Sequence, residues 1–221
     1  WFFGTDMDGV FLTENSTKAI YSGRSNPANI MITRTTDEFH ANVEAKDMDD
    51  FRAQMKAAFG TRADDFLAEC GNDLSAALKK TEVSGLEISA RALAACEHAN
   101  ANGRPVYYGV FDAEIPGWDN PGTFHSVDLW FYFETLAKCW RPFKGKHMDL
   151  ARQMCNYWAN FVKTGDPNGC DADGQPMPEW KPVDADSKNS MWFKDAPTPC
   201  EDAPDKMMRL QVAAFRDKIL G

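Results

Sequence analysis

Apolar and polar positions follow two rhythms along this chain, one of strands and one of helices. Ile30-Met31-Ile32-Thr33, within the stretch 29–36, is a short, β-branched and nearly continuous apolar run, as expected of a buried strand. Pro105-Val106-Tyr107-Tyr108-Gly109-Val110-Phe111 predicts a second buried strand, with its proline at a first position where one is tolerated. Between the two the period becomes helical. Asp47 is placed to cap a helix that carries Phe51, Met55 and Phe59 at four-residue spacing and closes at Gly60. Further helices are predicted at about 62–70, stopping at Gly71, at about 73–80, and at about 84–101. The last has Leu86, Ala90, Leu93 and Ala94 on one face.

Beyond the second strand a Gly/Pro-rich loop, Glu114–Phe124, delivers His125 and leads into the apolar run Val127–Leu136, a predicted helix. The clearest periodicity lies in 148–164, where Leu150, Met154, Trp158, Phe161 and Val162 form a stripe ended by Gly165. Gly165–Gly169 is a compound turn, and 170–204 is rich in Pro and Asp, with short strand candidates around Trp180 and Trp192-Phe193. A last helix, about 205–219, is expected to bury Met208, Val212, Phe215 and Ile219. Near the start, Asp8-Gly9 signals a turn, while 13–28 reads as irregular. No internal repeat is evident. Strands separated by helical crossovers indicate a parallel sheet of the α/β class. Two core strands cannot sustain such a sheet, so the rest of it is expected in sequence outside this chain. The start, Trp1-Phe2-Phe3-Gly4, likewise reads as a cut.

Composition narrows the partners. Of 221 residues, 43% are hydrophobic and 12% aromatic, enough for a sizeable core. The formal charge of −9 repels phosphate backbones and anionic membranes, so no nucleic-acid partner is expected. No window reaches the roughly 18 apolar residues of a membrane span. The six cysteines include no C-x-x-C pair, which disfavours zinc ribbons and dithiol redox sites. Cys96, Cys139 and Cys155 fall in apolar helical patterns and are expected to be buried free thiols. That usage leans toward a bacterial cytoplasm, although Asn15-Ser16-Thr17 fits the N-glycosylation pattern and the compartment stays open.

Chemistry in open α/β sheets gathers beyond the carboxyl ends of the strands. Glu38 follows the first core strand by two residues, and His125 lies in the loop after the second. An acid followed by a histidine matches the order of the later members of an α/β-hydrolase triad. The histidine would take a proton from a hydroxyl nucleophile and return it to the leaving group. The carboxylate would fix the tautomer and stabilise the imidazolium. The plainer expectation for either residue alone is a solvated loop position. His98, beside Glu97 in a helix, and His147, in the basic stretch Lys144-Gly145-Lys146, read as structural or solvated. His40 lies near the candidate site but reads as a surface residue. No metal-ligand motif, P-loop or G-x-G-x-x-G is present, and no cofactor is implied.

Four segments carry a resemblance to the C-terminal part of the type-B carboxylesterases, the family of cholinesterases and bacterial para-nitrobenzyl-type esterases. Thr35-Thr36-Asp37-Glu38 is similar to the family's T-x-D-E stretch, whose Glu is the triad acid. Phe39 stands where the family usually has Gly, which reshapes the local loop. Gly122-Thr123-Phe124-His125-Ser126-Val127-Asp128-Leu129 resembles G-A-x-H-[GS]-x-[ED]-[LI], whose His is the triad base. Trp158–Asn168 is close to W-x-N-F-[AV]-x-T-G-x-P-N, a structural helix and turn, and Asp6–Leu12 resembles V-D-G-x-x-[LI]. The match covers nearly the whole chain, in the family's order.

The resemblance implies that 1–221 is the C-terminal part of an α/β-hydrolase fold, with few core strands and many helices. It would supply Glu38 and His125 to a serine carboxylesterase acting on small-molecule esters, with the N-terminal part of the same protein as its partner. The family's nucleophilic serine lies on an upstream G-x-S-x-G elbow, and no such motif occurs here. Its oxyanion hole is upstream too, so this chain by itself is expected to be inert. The alternative is a non-catalytic, cholinesterase-like adhesion or binding module, of which the family has examples lacking triad residues. A third reading, an autonomous domain with an unrelated binding role, fits poorly with exposed sheet edges.

Overall fold

The computed structural model describes residues 6–24, 26–37, 43–82, 85–99, 104–183 and 188–221. At its centre is a sheet of four strands in the order β1-β2-β3-β4. β1 (Ile30–Thr35) runs parallel to β2 (Val106–Phe111), in register from Ile30↔Val106 to Thr35↔Phe111. β3 (Ser190–Phe193) is parallel to β2, and β4 (Pro197–Cys200) closes the far edge antiparallel. Both expected core strands form. β3 forms at the short strand candidate around Trp192-Phe193, whereas β4, four residues long with two prolines, leaves no periodicity and is not among the expected strands. The candidate at Trp180 is not a strand. β4 contains Pro197 and Pro199, which an edge strand tolerates.

β2 is buried along its whole length, whereas β1 is half-buried except at Thr35, because β1 is the other edge of the sheet. Alternation along β2 builds a core on each face. Tyr107 and Phe111 pack with Phe131, Leu150, Met154, Tyr157, Trp180 and Phe193. Val106, Tyr108 and Val110 pack on the opposite side with Ala90, Ile30 and Ile32. Helices thus cover both faces, α5 (Gly85–Ala99) on one and α6 (Leu129–Tyr132) with α7 (Gly145–Thr164) on the other.

The helices between the strands form where periodicity placed them. α2 (Met48–Phe59) is capped by Asp47, which accepts from Asp50 N at 2.8 Å, and ends at Gly60, φ +53°. α3 (Ala63–Cys70) ends at Gly71 and α4 (Leu74–Thr81) is capped by Asp73. With α8 (Lys206–Leu220) they enclose a second core around Phe51, Met55 and Phe66. Asp8 makes the expected turn, its Oδ1 accepting from the N–H groups of Val10, Phe11 and Leu12.

Five expectations are corrected. Residues 16–21, read as irregular, form α1 (Ser16–Tyr21), capped by Asn15, whose Oδ1 accepts from Lys18 N at 3.0 Å. The helix expected over 127–136 is a single turn, α6, because Glu134 takes a left-handed φ of +48° and Thr135 N closes back on Trp130 O at 2.9 Å. On α7 the buried face is His147, Leu150, Ala151, Met154 and Tyr157, with Trp158 (38% exposed) and Val162 (69%) turned outward. On α8 the buried positions are Met207 and Gln211, while Met208, Val212, Phe215 and Ile219 are half-buried. Cys139 and Cys155 are half-buried thiols rather than buried ones, and Cys70 is buried. The side chains of Leu86, Ala94, Cys96 and His98 lie outside the described residues.

Candidate active site

The carboxyl ends of β1 and β2 are tied together by a polar clamp. Thr36 N donates to Phe111 O at 3.0 Å, extending the β1–β2 pairing by one step. Asp37 and Phe124 then form a parallel bridge, which joins the loop after β1 to the loop after β2. Thr123 holds that junction. Its N–H donates to Asp37 Oδ2 at 2.7 Å, and its hydroxyl accepts from Asp37 N at 3.0 Å. Thr36 Oγ1 lies 2.5 Å from Thr123 Oγ1 and 2.9 Å from Asp112 Oδ1. Lys194 Nζ donates to Asp112 Oδ2 at 3.1 Å, which anchors the network to β3. Thr123 at the centre of the clamp is buried and Thr36 half-buried, so the hydrogen bonds between them work in a medium drier than water.

The clamp fixes the residue before each of the two sequence-predicted groups. Asp37 immediately precedes Glu38, and Phe124 immediately precedes His125. Glu38, Phe39 and His40 lie outside the described residues, so the structure places His125 but not its expected acid. His125 is exposed at the start of a tight turn in which Val127 N donates to Phe124 O at 3.1 Å. Ser126, the next residue, has φ +68°, a conformation that costs a non-glycine residue about 1 kcal/mol or more and recurs where a side chain must be aimed. Beneath the turn, Phe124 stands edge-on to Trp130 at 5.9 Å and under the Arg141 guanidinium at 5.8 Å. Arg141 is itself held by a bidentate pair with Asp119, at 2.9 and 2.8 Å.

His125 opens onto a trough of about 320 Å3 that runs along β1. Its walls include Met31 and Thr33 of β1, Leu129 and Tyr132 of α6, Phe133, and Trp158 of α7. Tyr132 and Trp158 have ring centroids 5.5 Å apart, which explains the outward turn of Trp158 away from the α7 core face. Burial drives the Tyr132 phenol far above its ordinary range, so it stays protonated. Arg34 also borders the trough, but its guanidinium reaches behind the sheet to Glu87 Oε2 at 2.6 Å and Tyr108 Oη at 2.8 Å. Burial, with Glu87 nearby, pushes Tyr108 up to about 12. With Arg34 turned away, the walls are mostly apolar, and Asp128 is the carboxylate among them, buried at 8% exposure. Among the described residues no group of His, Cys, Asp and Glu side chains is arranged to hold a metal ion, and no helix is long and apolar enough to cross a membrane.

Sequence reading missed the clamp residues Thr123 and Asp112 and the trough residues Tyr132 and Trp158. Thr36 and Asp37 were visible only as neighbours of Glu38. Of the structural and solvated readings open to His147, the structure selects the first: it is 5% exposed, with Nδ1 accepting from Lys144 N at 2.9 Å in the first turn of α7.

A sequence model described as the carboxylesterase family matches residues 1–213. Acetylcholinesterase of Gallus gallus is 27% identical over 123 residues, 53% of this chain and 15% of that protein. Carboxylesterase 4A of Bos taurus is 35% identical over 104 residues, 43% of this chain and 17% of that protein. A PNB esterase structure superimposes with a TM-score of 0.67 at 20% identity, over 96% of this chain and 43% of that one. A thermophilic PNB esterase gives 0.61 at 18% identity, over 91% of this chain and 41% of that one. At these identities the likeness to the solved structures is one of fold. The chain spans less than half the length of these structures.

Proposed function

We propose, since the chain belongs to the carboxylesterase family, that it is the portion of a serine ester hydrolase that supplies the triad acid, Glu38, and the triad base, His125. The observation that carries this reading is the Asp37–Phe124 bridge, which pairs the residues immediately before these two groups. One ring nitrogen of His125 takes the proton of a serine hydroxyl, and the carboxylate of Glu38 accepts a hydrogen bond from the other. The serine oxygen bonds to the ester carbonyl carbon as the carbon–alkoxide bond breaks, and His125 returns the proton to the departing alcohol. Water, activated in the same way, then releases the acid.

The serine and the oxyanion hole belong, in this reading, to the N-terminal part of the same protein. That part would dock along β1, which among the described residues is paired on one side only and is flanked by exposed Leu129 and Phe133. The trough beside His125 would then become an enclosed pocket for an uncharged ester. Mostly apolar walls suit an uncharged substrate, while a developing oxyanion needs donors from outside this chain.

In the full-length protein, His125→Ala is expected to lower kcat/KM for a p-nitrophenyl ester by about a thousandfold or more, and Glu38→Gln by about a hundredfold or more. Turnover near wild type in either variant would overturn the assignment of that residue.

A further inference from the structure

The helical region of α2, α3, α5 and α8 contains a buried amide whose oxygen has no partner among the described residues. Gln211 of α8 is 5% exposed, yet its Oε1 accepts no hydrogen bond from any described residue. A buried acceptor of this kind needs a donor, because it has given up water without replacement. Gln211 lines a cleft of about 230 Å3 whose walls include Met55, Phe59, Phe66, Ile88 and Phe215. Phe59 and Phe66 are stacked, with centroids 3.9 Å apart, and form a flat aromatic wall. Thr81, a second buried polar side chain there, already donates its hydroxyl to Leu78 O at 2.6 Å. Lys218, the lining's charged side chain, is exposed. The cleft shares no lining residue with the trough beside His125.

These features select a ligand class. Apolar walls exclude a charged molecule unless its charge finds a partner inside, and the unpaired group inside is an acceptor. A carboxylate would face that acceptor with acceptors of its own. A hydroxyl is the smallest neutral group that donates to it. An apolar cavity of about 150 Å3 suffices for benzene, so this cleft has room for a ring with substituents. We propose that the cleft binds a neutral, largely apolar molecule bearing one hydroxyl, of the size of a simple phenol or a short-chain alcohol, with that hydroxyl donating to Gln211 Oε1.

Two probes of nearly the same shape, p-cresol and toluene, separate the hydroxyl from the apolar body. Titrated into the full-length protein and followed by ligand-observed NMR, p-cresol is expected to bind about tenfold more tightly than toluene. Gln211→Leu should bring the two affinities together, and Ala214→Phe, which fills the cleft, should abolish p-cresol binding. Circular dichroism melting checks that both variants fold, and the comparison in wild type needs no variant. Equal affinities in wild type, no binding of p-cresol, or undiminished binding in a folded Ala214→Phe variant would overturn the proposal.

Discussion

Gly122 adopts φ +62°, and a Cβ added there would collide with Asp37 Oδ2. That oxygen accepts the Thr123 N–H, so any side chain at 122 must push apart the clamp that fixes the backbone before His125. Gly122→Ala is therefore expected to cost about 1–3 kcal/mol of stability. It should also lower kcat/KM of the full-length protein at least about tenfold, because general-base catalysis depends on sub-ångström placement. Ester turnover with thermal melting checks both effects, and unchanged turnover in a destabilised protein would detach the clamp from catalysis. At this scale the sequence revealed the candidate acid and base, through chain order and neighbouring motifs. It did not reveal the clamp, because Thr123 and Asp112 gain their partners only when two distant loops meet. His147 escaped for a related reason. Its burial follows from α7 beginning at Gly145, three residues before the first clear apolar position, where Phe143 packs edge-on at 5.3 Å.

Elements were legible in proportion to the strength of their own pattern. α2 carries both a capping Asp47 and a stop at Gly60, α3 a stop at Gly71 and α4 a capping Asp73, and all three formed as expected. α6 was overestimated because its stop is Glu134, a residue that gives no advance sign of a left-handed conformation. On α7 two apolar stripes compete, and the sheet selects the one containing Tyr157, whose hydroxyl donates to Pro178 O at 2.6 Å. That contact belongs to the irregular segment after α7, which is organised by one side chain. Trp180 is fully buried, its Nε1 donates to Tyr108 O at 3.1 Å, and its backbone is gripped twice by the Asn168 amide. A Cβ on Gly109 would come within 3.0 Å of its ring and 2.8 Å of Thr33 Cγ2, so a glycine in mid-strand makes room for both. Trp180→Ala should cost about 3–5 kcal/mol by urea denaturation, combining a large cavity with a lost hydrogen bond. A loss below about 1 kcal/mol would mean that the segment is held by something other than this anchor.

At the scale of the whole molecule the α/β class was evident from the order of strands and helices, while the extent of the sheet was not. The consequential feature is the unpaired edge of β1. Among the described residues no second strand pairs with it, and it lies beside Leu129 (48% exposed) and Phe133 (59%), a combination that invites pairing with another chain. A net charge of −9 opposes such association at low ionic strength, and salt screens that repulsion without weakening the apolar contact. Prepared alone, the 221-residue chain should therefore bind a hydrophobic dye and elute above its monomer mass, increasingly so as salt is raised. The double change Leu129→Lys with Phe133→Glu alters only exposed positions, so it should reduce both signals while leaving the circular dichroism spectrum intact. Co-expression with the upstream part should suppress them more completely, because a docked strand satisfies the backbone edge as well as covering the apolar side chains. A monodisperse, dye-silent monomer at high salt would show that the edge is protected within this chain, and would remove the physical reason for expecting the rest of the sheet to dock there.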